Sequence, residues 1–192
     1  MALTLLSRVR MFGDVIARSE LNDGEGRSIA LENGIDALCG KLSAIRDNRR
    51  NVYIVGNGGS AAVAAHAVTD FFNVAQLRAT TLHESSLLTC MANDLGYENA
   101  FARMLGQMLE PEDMLIAISS SGNSMNIRNA VNVGKDKGAH VVTLSGFARA
   151  NPLRAMGDLN FWLDSHDYGF VEIGHQFVLH NIADRFNEKL RG

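Results

Sequence analysis

Residues 51–70 read NVYIVGNGGSAAVAAHAVTD, and this stretch decides the fold. A short apolar run, Val52–Val55, leads into a turn made of Gly56, Asn57, Gly58, Gly59 and Ser60. An Ala-rich helical segment follows and carries His66 and Asp70. A strand that ends in a Gly-rich turn at a helix N-terminus is a good anion site. Glycines let the backbone come close, and the unpaired N–H groups and helix dipole favour negative charge. Loops at the carboxyl ends of parallel strands are also where open α/β sheets bind ligands.

The same form recurs downstream. Met114–Ile118 is an apolar strand that runs into Ser119-Ser120-Ser121-Gly122-Asn123-Ser124, and a helix follows to Lys137. Hydroxyls and backbone N–H groups at a helix start make a phosphate cradle. A helix cap needs one hydroxyl, and this segment offers four. Neither turn is a common nucleotide motif: no Lys follows the glycines, GNGGSA lacks the G-x-G-x-x-G spacing, and no acidic residue ends a following strand. The expectation is a phosphorylated small molecule and no nucleotide cofactor.

Around these turns the chain alternates strands and helices. Further strands are expected at 80–82, 139–144 and 159–163, and further helices at 85–92, 98–109 and 169–190. Apolar, non-alternating strands between helices imply a parallel sheet covered on both faces, an α/β fold. Upstream, 2–21 and 28–45 read as amphipathic helices with a turn at 22–26 between them. That pair is either an edge layer or an oligomerisation element. The chain is read as one domain over 1–192, with N-terminal helices in 1–47 and an α/β core in 51–192.

Composition narrows the function classes. The 192 residues are 46% hydrophobic and 20% charged, with a net charge of −3, which is ordinary for a globular protein and argues against nucleic acid as a partner. No window is long and apolar enough for a membrane span, and the early Arg8, Arg10 and Asp14 do not suit a signal peptide. Cys39 and Cys90 sit in apolar surroundings and are expected as buried thiols of a cytoplasmic protein.

His66 and Asp70 stand four residues apart on one helix, and Glu172, Gln176 and His180 repeat that step on the last one. His175 lies off that face. Two helices that each present an imidazole and a carboxylate suit general acid–base work. They also suit a divalent metal, zinc by ligand type, held by His66, Asp70, Glu172 and His180.

Taken together, Gly56-Asn57-Gly58-Gly59-Ser60, His66, Asn93-Asp94-x-Gly96, Ile118-Ser119-x-Ser121-Gly122-Asn123-Ser124 and a terminal helix with His180 resemble the SIS (sugar isomerase) domain family, within it the phosphoheptose isomerase group. The resemblance covers nearly the whole chain. It implies a flavodoxin-like three-layer sandwich with a five-stranded parallel sheet preceded by two helices, a homotetramer, and active sites between subunits. It implies interconversion of sedoheptulose 7-phosphate and an aldose (D-glycero-D-manno-heptose) 7-phosphate for heptose and surface polysaccharide biosynthesis. By the same resemblance, Asn57, Gly58, Gly59, Ser60, Ser119, Ser120, Ser121 and Ser124 hold the phosphate, Asp94 orients sugar hydroxyls, His180 carries a proton and His66 is a metal ligand. The sequence departs from the pattern at four places. Asp70 stands for the family's catalytic glutamate, Glu172 for a glutamine, Gly169 for an aspartate and Val74 for an arginine.

Asp70 or Glu172 is then the base and His180 its partner, acting through an enediol. Two other readings are an isomerase of another phosphosugar and a non-catalytic SIS adaptor resembling the DnaA initiator-associating protein. Retention of Asp70 and His180 favours catalysis over the adaptor.

Overall fold

The computed structural model describes residues 4–191. Seven α-helices are found among them: α1 (Leu5–Ala17), α2 (Leu31–Asp47), α3 (Gly59–Asn73), α4 (Ser85–Leu95), α5 (Tyr97–Met108), α6 (Met125–Asp136) and α7 (Tyr168–Arg191). The strands are β1 (Glu20–Asp23), β2 (Ser28–Ile29), β3 (Asn51–Gly56), β4 (Arg78–Thr81), β5 (Met114–Ser119), β6 (His140–Ser145) and β7 (Leu159–Trp162). They form one sheet in the order β2-β1-β7-β6-β5-β3-β4.

Strands β3 to β7 are mutually parallel, as their apolar, non-alternating sequences require. Along each strand successive side chains enter opposite layers. Val52, Ile54, Ile116 and Val142 pack with residues of α2, α3 and α7, including Leu38, Phe71 and Ile182. Tyr53, Val55, Leu115 and Val141 pack with Phe101 and Leu105 of α5 and Ile127 and Val131 of α6. The result is a three-layer α/β sandwich.

The sheet has seven strands, not the expected five. The two extra strands form an antiparallel hairpin on the β7 edge, with Leu21 opposite Phe161 and Leu21 opposite Ile29. This stretch reads from sequence as a helix end, a turn and a helix start. The hairpin is held by an Asx turn: Asp23 Oδ1 accepts from the N–H groups of Glu25 and Arg27, and Gly26 takes a φ of 80°. Leu21 is buried against α2, where any Cβ on Gly34 would overlap it. A second correction concerns Cys90, which is exposed on α4 with its Sγ 3.6 Å from Asp94, whereas Cys39 is buried as expected. No helix among the described residues is long and apolar enough to cross a membrane.

Candidate functional site

The two Gly/Ser turns lie side by side because β3 and β5 are neighbours, with Gly56 opposite Ile118. At the first turn, Gly58 adopts a φ of 52° and makes no side-chain cap, which leaves the N-terminus of α3 open. A Cβ on Gly56 would overlap the Ser60 backbone, so the turn closes only on glycine. At the second turn, Ser119 Oγ accepts from the Gly122 N–H at 3.2 Å and lies 3.3 Å from Ser124 Oγ. Ser124 occupies the N-cap of α6, yet its hydroxyl makes no capping bond. Both turns open on one cavity of about 230 Å³. Asn57, Gly58, Gly59 and Ser60 line it from one side, and Ser119, Ser120, Ser121 and Ser124 from the other.

The Asn57 side chain does not point its polar atoms freely into that cavity. Its Oδ1 accepts from Tyr97 Oη at 2.8 Å and from Asn126 Nδ2 at 2.8 Å, and its own Nδ2 donates to Asn126 Oδ1 at 2.9 Å. Asn126 is almost fully buried and is itself fixed by the Ile127 N–H. Asn57 thus holds the turn in shape through Tyr97 and Asn126. Tyr97 and Asn126 belong to the site's framework, and no spacing in the sequence marks them.

Glu172 also lines this cavity. A Cβ on Gly59 would overlap its carboxylate, so the carboxylate lies directly over the first residue of α3. Tyr168, one turn earlier on α7, lines the same wall. It stands four residues before Glu172 on the same face, a step that could have found it.

A second group sits further along the packed α3–α7 pair. His180 Nδ1 lies 2.8 Å from Asp70 Oδ2, and His66 Nε2 lies 3.4 Å from the same oxygen. The Asp70 hydrogen bond holds the His180 imidazole above its ordinary pKa, and the charges of Asp70 and Asp184 act in the same direction. The ligand atoms of His66, Asp70 and His180 all lie within 4.8 Å of one another, which makes a possible metal-binding site. Two imidazoles and a carboxylate suit zinc. Tetrahedral bonds of about 2.0–2.1 Å put neighbouring ligand atoms roughly 3.3 Å apart, and the His66–Asp70 separation matches that.

The expected set of four is not brought together. Gly59, which Glu172 covers, precedes His66 by two helical turns, about 10 Å of helix rise. Glu172 therefore belongs to the serine cavity and not to the His66–Asp70–His180 group. Asp94 also stands apart: it is exposed on α4, beside Cys90 and Asn93. His175 faces inward. It is fully buried, its Nε2 donates to the Ser145 carbonyl at 3.1 Å, and burial pushes its pKa down to about 4.

Residues 28–146 match the SIS domain. The chain belongs to the SIS domain family. Within the family it falls in the phosphoheptose isomerase group. It is 31% identical over 172 residues to the phosphoheptose isomerase of Campylobacter concisus, covering 85% of this chain and 89% of that one. It is 36% identical over 145 residues to that of Mycobacterium tuberculosis, covering 72% and 74%. The solved phosphoheptose isomerase GmhA of Neisseria gonorrhoeae superposes with a TM-score of 0.79 at 25% identity, over 96% of this chain and all of that one. The SIS match spans both Gly/Ser turns, with His66 and Asp70 between them, and stops short of β7 and α7. Glu172, His175 and His180 come from the part of the chain beyond it.

Proposed function

We propose that this chain interconverts sedoheptulose 7-phosphate and D-glycero-D-manno-heptose 7-phosphate in heptose biosynthesis. One observation carries the reading: an open phosphate cradle and an Asp–His acid–base pair lie along the same α3–α7 seam. The substrate has that layout, with its phosphate at one end and the reacting C1 and C2 at the other. The relatives named phosphoheptose isomerase support it.

The reaction removes a proton from C1 or C2 and returns it to the other carbon. A second proton moves between the two oxygens in the same sense, from O1 to O2 as the ketose becomes the aldose, by way of an enediol. Asp70 is the base for the carbon-bound proton. His180, whose pKa the Asp70 hydrogen bond raises, donates to the carbonyl oxygen as the enediol forms. The serine hydroxyls and the N-termini of α3 and α6 hold the phosphate. Glu172 sits beside that cradle, too far from Asp70 to share its proton. A divalent ion, zinc by ligand type, would be held by the same His66, Asp70 and His180 in place of that acid–base use of Asp70 and His180, and would there supply Lewis-acid polarisation of a carbonyl.

Assembly as a homotetramer of a cytoplasmic protein, with sites between subunits, belongs to the same reading. Its support is the exposed apolar surface on α1 and α7: Leu5, Leu6 and Val9 beside Ile173 and Phe177.

The test is proton NMR of the protein with sedoheptulose 7-phosphate in D₂O, before and after chelation. The expected result is aldose signals with deuterium at C2, lost by about two orders of magnitude or more in Asp70→Asn while inorganic phosphate still binds. Full turnover in Asp70→Asn removes Asp70 as the base. Unchanged turnover in a chelated sample shown to be metal-free removes the ion from the reaction. No turnover and no exchange from folded wild-type protein removes the isomerase reading.

A further inference from the structure

The serine cavity accounts for a phosphate but not for the aromatic residues beside it. Tyr168 opens α7, lines the cavity, and keeps 60% of its surface exposed. Its ring meets the Phe147 ring edge-on, with centroids 4.7 Å apart at 79°. Phe147 in turn stacks on His166, with centroids 5.5 Å apart at 18°. Phe147 comes from the loop after β6, His166 from the loop after β7, and Tyr168 from the first residue of α7.

Phe147 holds an unusual backbone for its type. Its φ is 54°, in the left-handed region that bulky side chains avoid. The Phe147 N–H donates to the Ser165 carbonyl at 2.9 Å, which fastens the two loops together in this conformation. Strained backbone of this sort gathers at functional sites, where the surrounding structure maintains it. Tyr168 is fixed from the other direction as well. Asp167 accepts from the Phe170 N–H at 3.2 Å and pairs with Arg8 at 3.1 Å, which ties the start of α7 to α1. An exposed aromatic ring is thus held rigidly at the wall of a polar cavity.

A polar cradle with one rigid aromatic wall suits a ligand that is anionic at one end and has a C–H face beside it. We propose that Tyr168, backed by Phe147 and His166, is a specificity-determining residue that stacks on the C–H face of the sugar next to the phosphate. This rests on the phosphosugar reading above and adds what selects a sugar over a bare phosphate. Rigid aromatic contact ordinarily contributes enough for a few-fold to tenfold change in affinity.

The experiment is calorimetric titration of the full chain with sedoheptulose 7-phosphate and, separately, with inorganic phosphate. Wild type is expected to prefer the sugar phosphate. Tyr168→Ala is expected to weaken sugar phosphate binding about fivefold and to leave inorganic phosphate within about twofold. Tyr168→Phe keeps the ring and is expected to match wild type. The proposal is overturned if Tyr168→Ala leaves sugar phosphate affinity unchanged. It is also overturned if both ligands weaken equally, which marks a structural role, or if Tyr168→Phe is as poor as Tyr168→Ala, which marks a hydroxyl contact. Turnover by wild type is read separately. Its absence alongside an intact preference for the sugar phosphate would remove the isomerase and leave the aromatic wall.

Discussion

His175 offers the sharpest test of how α7 is seated. It is fully buried, and its ordinary pKa of 6.5 falls to about 4 because burial penalises the charged ring; the bond to the Ser145 carbonyl offsets only part of that. Since Nε2 donates, the ring is neutral with its proton on that nitrogen, and Nδ1 finds no partner. Below pH 6.5 the unfolded chain takes up a proton here, while the folded chain holds out until about 4. The stabilisation is therefore complete above 6.5 and is lost progressively as the pH falls to 4. With those two values, linkage gives a loss of about 2 kcal/mol by pH 5 and about 3 kcal/mol by pH 4.

The variant to compare is His175→Gln, whose amide can still donate to Ser145 but does not titrate. Urea unfolding at pH 7 and pH 5, at one protein concentration, gives the stability change of each form. His83 and His140 are also held below their ordinary pKa by burial, so wild type loses more than His175 alone accounts for. The difference between the two forms removes that shared part. The expected result is a variant less stable at pH 7 whose further loss on going to pH 5 is smaller than wild type's by about 2 kcal/mol. Parallel losses, within about 0.5 kcal/mol, would refute a neutral buried His175.

Two further changes probe the cradle. Gly59→Ala places a methyl where the Glu172 carboxylate lies; that flexible side chain can swing away, so the melting temperature should hold while turnover falls by about tenfold or more, as kinetics and a thermal melt would show. Tyr97→Phe deletes the hydroxyl that donates to Asn57, a bond worth about 1 kcal/mol, so KM and the inhibition constant of inorganic phosphate should both rise several-fold with kcat kept.

The parts of this fold that could be read from sequence are those whose signal is local. Val52–Val55 and Met114–Ile118 are apolar runs that end in Gly or Ser turns, and each became a central parallel strand opening on the cavity. The β1–β2 hairpin could not be read in this way. Its strands have four and two residues, too few for an alternating pattern, and its single buried anchor, Leu21, also fits the apolar face of a helix. The cradle was legible for the same reason as the strands, because a turn's chemistry lies within a few residues.

The grouping of side chains from distant segments was legible only in direction. Glu172, Gln176 and His180 do share one face of α7, as their four-residue spacing requires. Spacing gives the face but not the distance along it, and eight residues of helix put about 12 Å between the first and the last. That rise separates the expected ligand set: Glu172 goes to the cradle and His180 to Asp70. α3 divides in the same way, with Gly59 at the cradle and His66 and Asp70 beyond it. One helix pair thus carries both halves of the site, so a slide of α7 along α3 would disturb phosphate binding and proton transfer together. His175 lies between Glu172 and His180 in α7, and its carbonyl partner, Ser145, is the register partner of Ser119 in the cradle. A buried imidazole therefore ties α7 to the end of β6, beside the cradle strand, at a point between the two groups of side chains.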